Sequence, residues 1–269
     1  MANSKIVQGH QARKRFGQNF LSDNHYISRI VDAIAPQEQH HIVEIGPGLG
    51  AITEHLLDKA GKLEVVELDR DLIPRLEDRF GNNDHFTIHQ SDALKFDFTQ
   101  LKNSEQKLRI VGNLPYNIST PLIFHLLEQR HVIHDMYFML QKEVVERLCA
   151  SANTKQYGRL SVMAQYFCQA DMLFVVPPGA FSPAPKVESA IVRLMPHTKI
   201  QNPVNDADLL AKVVTAAFNQ RRKTIRNSLK DWVAQEQFEQ IGISSTERAE
   251  RLTLNDFINI CHFIENQHD

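Results

Sequence analysis

The sequence predicts an α/β protein: a Rossmann-like parallel sheet with helices on both faces over residues 1–200, and a small all-helical domain over residues 201–269. Three observations carry this. Segments of strand length alternate with helix-period segments between positions 41 and 150. A glycine-rich turn follows the first strand, and an acidic residue closes the second. After Pro196 only helical patterning remains.

The elements follow in order. His41–Ile45 reads as a short strand that ends at the turn, and residues 51–60 as a helix with Ile52, Leu56 and Leu57 on one face. Residues 62–68 form a second strand and 70–80 a second helix. Strands at 86–89, 108–111 and 136–140 follow, with helices at 120–129 and 142–150 between and after the last two. Late strands at 164–176 and 189–194 flank Pro177-Pro178-Gly179-Ala180-Phe181-Ser182-Pro183-Ala184-Pro185, where four prolines in nine residues exclude a helix or a central strand. Helices are expected at 206–218, 224–232, 235–240 and 254–265, with a domain boundary near Asn202-Pro203.

Composition narrows the class. Apolar residues make up 42% of 269, enough for a substantial core. No apolar run approaches the roughly 18 residues of a membrane span. The first fifteen residues are polar and basic, without the apolar stretch of a secretory signal. Cys149, Cys168 and Cys261 are widely spaced and odd in number, so neither a disulfide framework nor a zinc site is expected, and a reducing cytosol fits. His85 and His89 fall on a strand, where that spacing does not make a helical metal pair, so no metal is expected. Net charge is only −2, but basic residues cluster at Arg13, Lys14 and Arg15 and again at Arg221, Arg222, Lys223, Arg226 and Lys230. Either cluster can be a solvated face or a phosphate contact. The second lies at the start of an expected helix, where positive charge is unfavourable unless anions neutralise it. A monomer is expected, since no amphipathic heptad stands out.

The turn Glu44-Ile45-Gly46-Pro47-Gly48-Leu49-Gly50 lets the backbone fold tightly and lets a ligand approach it closely. Glu67 can accept from two ribose hydroxyls, and Asp92, after the third strand, from an adenine amino group. These positions lie at the carboxyl ends of strands, where open α/β sheets bind ligands. Gly46, Gly48 and Ala51 also satisfy the dinucleotide pattern, with Glu67 at a suitable distance, so a nicotinamide-dependent oxidoreductase is a rival. Glu44 and the spacing of Gly46, Gly48 and Gly50 suit a methyltransferase better.

Asn113-Leu114-Pro115-Tyr116 follows the fourth strand. The exocyclic amine of adenine is a poor nucleophile because its lone pair is delocalised into the ring. A pair of acceptors must hold its hydrogens so that the lone pair turns out of the ring plane. The Asn113 side-chain oxygen and the Leu114 carbonyl are the candidates, the latter because the residue before proline is held extended. Such catalysis is mainly orientation and electrostatics. Tyr116 supplies a stacking face, and Phe181 on the proline-stiffened loop is a candidate for the other. A base in structured RNA has to be flipped out to fit such a clamp. In isolation, the tetrapeptide reads equally well as an ordinary turn.

With these motifs together, the sequence resembles the ribosomal RNA adenine dimethyltransferases over nearly its whole length. The resemblance rests on Phe16-Gly17-Gln18-Asn19-Phe20-Leu21, the glycine turn, Glu67 in VVELD, Asp92 in QSDAL and Asn113 to Tyr116. It rests also on Phe181-Ser182-Pro183-Ala184-Pro185-Lys186-Val187-Glu188-Ser189 and on Phe218-Asn219-Gln220-Arg221-Arg222-Lys223-Thr224. It implies that Asn19, Leu21, Gly46, Glu67, Asp92 and Asn113 line an S-adenosylmethionine site. It implies that Asn113, Tyr116 and Phe181 handle the target adenine, and that Arg221, Arg222, Lys223 and Arg226 bind RNA. The implied reaction places four methyls on N6 of two adjacent adenines in a hairpin loop near the 3′ end of small-subunit rRNA, within immature 30S particles in the cytoplasm. The QRRKT and FSPAPKVES segments favour this small-subunit branch over the large-subunit branch that confers macrolide resistance. A non-catalytic module docking on nucleic acid is the rival from another class, and the intact tetrapeptide argues against it.

Overall fold

The computed structural model describes residues 6–7, 10–11, 19–102, 106–220 and 222–267. Of the residues singled out above, Arg13 to Gln18 and Arg221 lie outside the described residues. Seven strands form one sheet: β1 (His41–Ile45), β2 (Lys62–Glu67), β3 (Phe86–Gln90), β4 (Leu108–Asn113), β5 (Ile133–Gln141), β6 (Cys168–Val176) and β7 (Ser189–Pro196). Their order is β3-β2-β1-β4-β5-β7-β6. Neighbours from β3 to β5 are parallel. β7 runs antiparallel to β5, so the sheet is mostly rather than wholly parallel. A parallel neighbour needs a crossover connection, usually a helix. The segment entering β7 carries four prolines and only a short 3-10 turn, Pro178–Ala180, so it makes no such crossover.

The chain divides into two compact units. Residues 1–145 and 171–196 form the first, which holds nearly all of the sheet; residues 146–170 and 197–269 form the second. Residues 146–170 therefore join the helical unit, although a boundary at 200 would leave them in the first domain. Packing explains this. Helix α6 (Arg159–Phe167) packs on α7 (Ala207–Phe218) and α10 (Leu254–Glu265), and the Tyr157 and Phe218 rings meet at 6.0 Å.

In the first unit α1 (Asn24–Ile34) is a helix beyond those the sequence predicts. Its signals were present. Asp23 caps it, with Oδ1 accepting from the N–H groups of His25 (2.9 Å) and Tyr26 (3.4 Å). Ile27, Ile30, Val31 and Ile34 repeat at helical spacing and are all buried. They share one core with Leu56 of α2 (Thr53–Leu57) and with Ile42, Leu63, Val65, Val111, Tyr137 and Met139 of the sheet. On the opposite sheet face, His89 meets Phe96, Phe96 meets Phe98, and Phe98 meets His125 of α4 (Ser119–Glu128). α3 (Ile73–Phe80) follows β2, and α5 (Lys142–Leu148) follows β5. Helices thus cover both faces.

Other boundaries shift. The expected strand at 164–176 is the end of α6 followed by β6, because the apolar run crosses the Phe167–Cys168 junction without Gly or Pro to mark it. The expected helix at 224–232 is only α8 (Ile225–Ser228), and the one expected at 235–240 is α9 (Gln237–Gln240). A helix as short as α8 has little macrodipole, so Arg222 and Lys223 are not disfavoured at its start and need no anion there.

His89 is on β3, and His85 lies just before the strand. His89 instead helps to build a carboxylate cluster. Glu64 of β2, almost wholly buried, takes hydrogen bonds from His41 Nε2 (2.8 Å), Lys62 Nζ (2.6 Å) and His89 Nε2. Burial alone would raise its pKa, but these donors outweigh that and hold it down to about 2. A carboxyl with a depressed folded pKa stabilises the fold above its unfolded value and loses that contribution as pH falls through the folded one. Glu64→Gln should therefore cost on the order of 2–3 kcal/mol near neutral pH. The cost should shrink as pH falls from about 4.5 towards about 2. Denaturant unfolding at pH values on either side of that window reads it; an equal cost at both would mean the loss is one of packing alone.

Candidate active site

Strand order places the site. The chain leaves β1 for β2 and β3 on one side, then crosses to β4 on the other. A crevice opens at such a reversal, at the carboxyl ends of the strands. Gly46 follows β1, Glu67 ends β2, Asp92 follows β3 and Asn113 ends β4. Because side chains alternate along a strand, register fixes which of them share a face. Glu44 pairs with Val65 and with Val111, two residues before Glu67 and Asn113 respectively. Asn113 pairs with Met139, and Gln141, two residues on, pairs with Ser189. Glu44, Glu67, Asn113 and Ser189 therefore leave the same face of the sheet, the one that carries α1 and α2.

The glycine turn is needed for its backbone and its packing. Gly46, Gly48 and Gly50 have φ of 66°, 61° and 81°, a region L-residues rarely adopt. A Cβ on Gly48 would lie 3.2 Å from the Phe20 ring, and one on Gly50 would lie 2.6 Å from the Phe80 ring. Phe20 thus ties the segment after position 18 to the turn. Val66 O accepts from Gly46 N–H at 2.9 Å, joining the turn to β2.

Two buried carboxylates stand beneath the turn. Glu67 Oε1 accepts from Asp69 N–H at 2.7 Å and Oε2 from Gly48 N–H at 3.4 Å. Burial raises its pKa, partly offset by these main-chain donors. Glu44 Oε2 accepts from Thr53 Oγ1 at 2.7 Å. Burial pushes its carboxyl up to about 7, the Thr53 bond opposes the rise, and the nearby Glu67 adds to it. A dinucleotide pyrophosphate at this turn would meet both acidic groups, whereas a cofactor with a sulfonium and an ammonium suits them. Asp92 Oδ1 accepts from Leu94 N–H at 3.0 Å and is half-exposed. Leu68, beside Glu67, leaves an apolar side chain 49% exposed.

The tetrapeptide is held from several sides. Asn113 Nδ2 donates to Asn19 O at 3.1 Å, and among the described residues nothing donates to Asn113 Oδ1. The carboxamide is therefore turned so that its acceptor end is available. Leu114 N–H donates to Met139 O at 3.2 Å, and its side chain is buried, so its carbonyl is the part that can meet a substrate. Tyr116 is half-buried, with its hydroxyl 2.9 Å from Ser189 Oγ. Leu21 and Phe181 are partners in a two-strand pairing of Phe20–Leu21 with Phe181–Ser182. Phe181 is 5% exposed and packs in the core beside Leu21, so its ring is less open than expected of a loop residue. In the second unit, Arg222 and Lys223 are exposed, and half-buried Arg226 reaches Gln235 Oε1 at 3.3 Å.

A glycine turn over acidic strand ends, with Asn-Leu-Pro-Tyr closing the fourth strand, defines an α/β methyltransferase of amino groups. The family model for ribosomal RNA adenine dimethylase matches residues 9–266, and the chain belongs to that family. It is thus an S-adenosylmethionine-dependent rRNA adenine dimethyltransferase. It is 59% identical over 256 residues to the ribosomal RNA small subunit methyltransferase A of Marinobacter nauticus, covering 95% of this chain and 92% of that protein. The protein of the same name from Colwellia psychrerythraea is 55% identical over 262 residues, with 97% and 87% covered. Among solved structures, a dimethyladenosine transferase from Plasmodium falciparum superposes with a TM-score of 0.80 at 24% identity, covering 92% of this chain and 98% of that one. The 23S rRNA methyltransferase ErmE gives 0.70 at 22%, covering 92% and 100%. At such identities these two show the fold alone.

Proposed function

We propose that the protein dimethylates N6 of two adjacent adenines in the 3′-terminal hairpin loop of small-subunit (16S) rRNA, late in small-subunit assembly. The observation that carries the chemistry is the Asn113 carboxamide, whose nitrogen is committed to Asn19 O at the end of β4. Its oxygen and the Leu114 carbonyl receive the two amino hydrogens of the target adenine. Tyr116 stacks on the base, and Phe181 is its second wall, held by the pairing with Leu21. The small-subunit choice is supported by the names of the relatives that share more than half of the sequence.

Asn19, Leu21, Gly46, Glu67, Asp92 and Asn113 would hold the cofactor. Glu67 takes the ribose hydroxyls, Asp92 the adenine amino group, and Gly46 gives close approach to the main chain. When bound, S-adenosylmethionine supplies an electrophilic methyl on a sulfonium. No strong base is required of the protein, because the amino proton becomes acidic once the nitrogen is alkylated. Arg222, Lys223 and Arg226, with Arg221, meet phosphates, which position a folded particle without reading its bases. The protein works as a monomer on immature 30S particles in the cytoplasm; no described helix is long and apolar enough to cross a membrane.

The test is methyl transfer from labelled S-adenosylmethionine to immature small subunits that lack adenine dimethylation, with the product nucleoside identified. N6,N6-dimethyladenosine in the 3′-terminal loop is the expected product. Label in isolated large-subunit rRNA and none in small subunits would overturn the substrate assignment.

A further inference from the structure

Tyr116 needs only its ring to stack on a base, and phenylalanine would present the same face. Its hydroxyl therefore calls for a separate explanation, and among the described residues the structure directs it to one group, Ser189 Oγ at 2.9 Å. Ser189 is 1% exposed and far from Tyr116 in sequence. It opens β7 and pairs with Gln141 at the end of β5. The residue before it is clamped to the same place: Glu188 O accepts from Lys142 N–H at 3.0 Å, and the Glu188 carboxylate meets Lys142 Nζ at 2.8 Å. The Ser189 hydroxyl thus sits on a rigid point of the sheet. At its other end, Tyr116 is held through its carbonyl, which accepts from Ser119 Oγ at 3.2 Å. Both ends of the residue are fixed, and the two torsions between them decide where the ring plane lies.

We propose that Ser189 is a positioning residue for methyl transfer: through the Tyr116 hydroxyl it sets the plane of the ring on which the target adenine stacks. This rests on the reading of Tyr116 as the stacking face. A ring free to turn would hold the flipped base off the acceptor pair of Asn113 and Leu114, and small misplacements of a reacting group are costly in rate. Most of the affinity for a structured RNA comes from phosphate contacts distant from the base. The loss should therefore appear in kcat rather than in KM for RNA.

The test is a double-mutant cycle on the full-length enzyme with immature small subunits as substrate, with S-adenosylmethionine affinity measured alongside. Ser189→Ala and Tyr116→Phe should each lower kcat about tenfold, leave KM for the particle and cofactor affinity nearly unchanged, and show no further loss when combined. Additive losses would overturn the proposal, because Ser189 would then act independently of the hydroxyl. If Ser189→Ala fails to fold, Tyr116→Phe breaks the same bond from the other side, and an unchanged kcat there overturns the proposal equally. Tyr116→Ala separates the two layers. It should cost far more in kcat than in cofactor affinity; an equal loss in both would mean that the stacking reading itself fails. A large kcat loss in Tyr116→Ala, with Ser189→Ala and Tyr116→Phe both silent, would sink only the positioning role.

Discussion

Asn113→Ala should reduce kcat for methyl transfer by a factor on the order of 10²–10³, the usual effect of removing one preorganised hydrogen-bonding group at a reacting centre. The expectation follows from how the side chain is committed. Nδ2 donates to Asn19 O at 3.1 Å, which leaves Oδ1 as the acceptor at the end of β4. Alanine removes the acceptor and also the tie to the segment that carries Asn19, Phe20 and Leu21. A weaker cofactor affinity, by several-fold, should therefore accompany the loss of rate. Asn113→Asp separates the two contributions. It keeps an acceptor but cannot donate to Asn19 O, so it should share the weaker cofactor binding. Single-turnover methylation of immature small subunits reads the chemical step, and calorimetry reads the affinity. A single-turnover rate for Asn113→Ala within a fewfold of the parent would end the acceptor role.

Glu67→Ala should weaken S-adenosylmethionine binding by about two orders of magnitude. Hydrogen bonds to a charged group contribute roughly 1.5–3 kcal/mol each, and about 2.7 kcal/mol corresponds to that factor. Glu67 is well placed for this because it is buried at the end of β2 and already oriented by the N–H groups of Asp69 and Gly48. It also braces the glycine turn, so part of the loss will come from a looser turn. Glu67→Gln keeps an acceptor of the same shape and should fall between the parent and alanine. Calorimetric titration of each variant, after a check of its thermal unfolding, gives the comparison. An unchanged dissociation constant in Glu67→Ala would refute the ribose contact.

Much of the fold was legible in short patterns. His41–Ile45 and Leu254–Glu265 have the bounds their apolar spacing predicts. β4 runs on through Asn113, beyond its predicted end at Val111, which places Asn113 on the strand itself. The misses have local causes. Helix α1 was overlooked although Asp23 and the Ile27 to Ile34 spacing announced it. Helix α6 was hidden because Leu160 to Ala164 are buried all round, which erases the helical period, and because its apolar run continues into β6.

By itself, the sequence determined which strand ends carry the glycine turn, Glu67, Asp92 and the Asn113 to Tyr116 tetrapeptide. Each is a local property, set by residue type and by position relative to a strand end, and local signals survive in a linear string. Contacts between residues far apart in the chain were decided only by the tertiary structure. Asn19 reaches Asn113, Phe20 packs on Gly48, Leu21 pairs with Phe181 and Tyr116 reaches Ser189. The antiparallel entry of β7 next to β5 is of the same kind, and it brings Ser189 to the face that carries Asn113. Such pairings depend on register across strands and on which core each element finds to bury itself in, and neither is written in the spacing of any one segment.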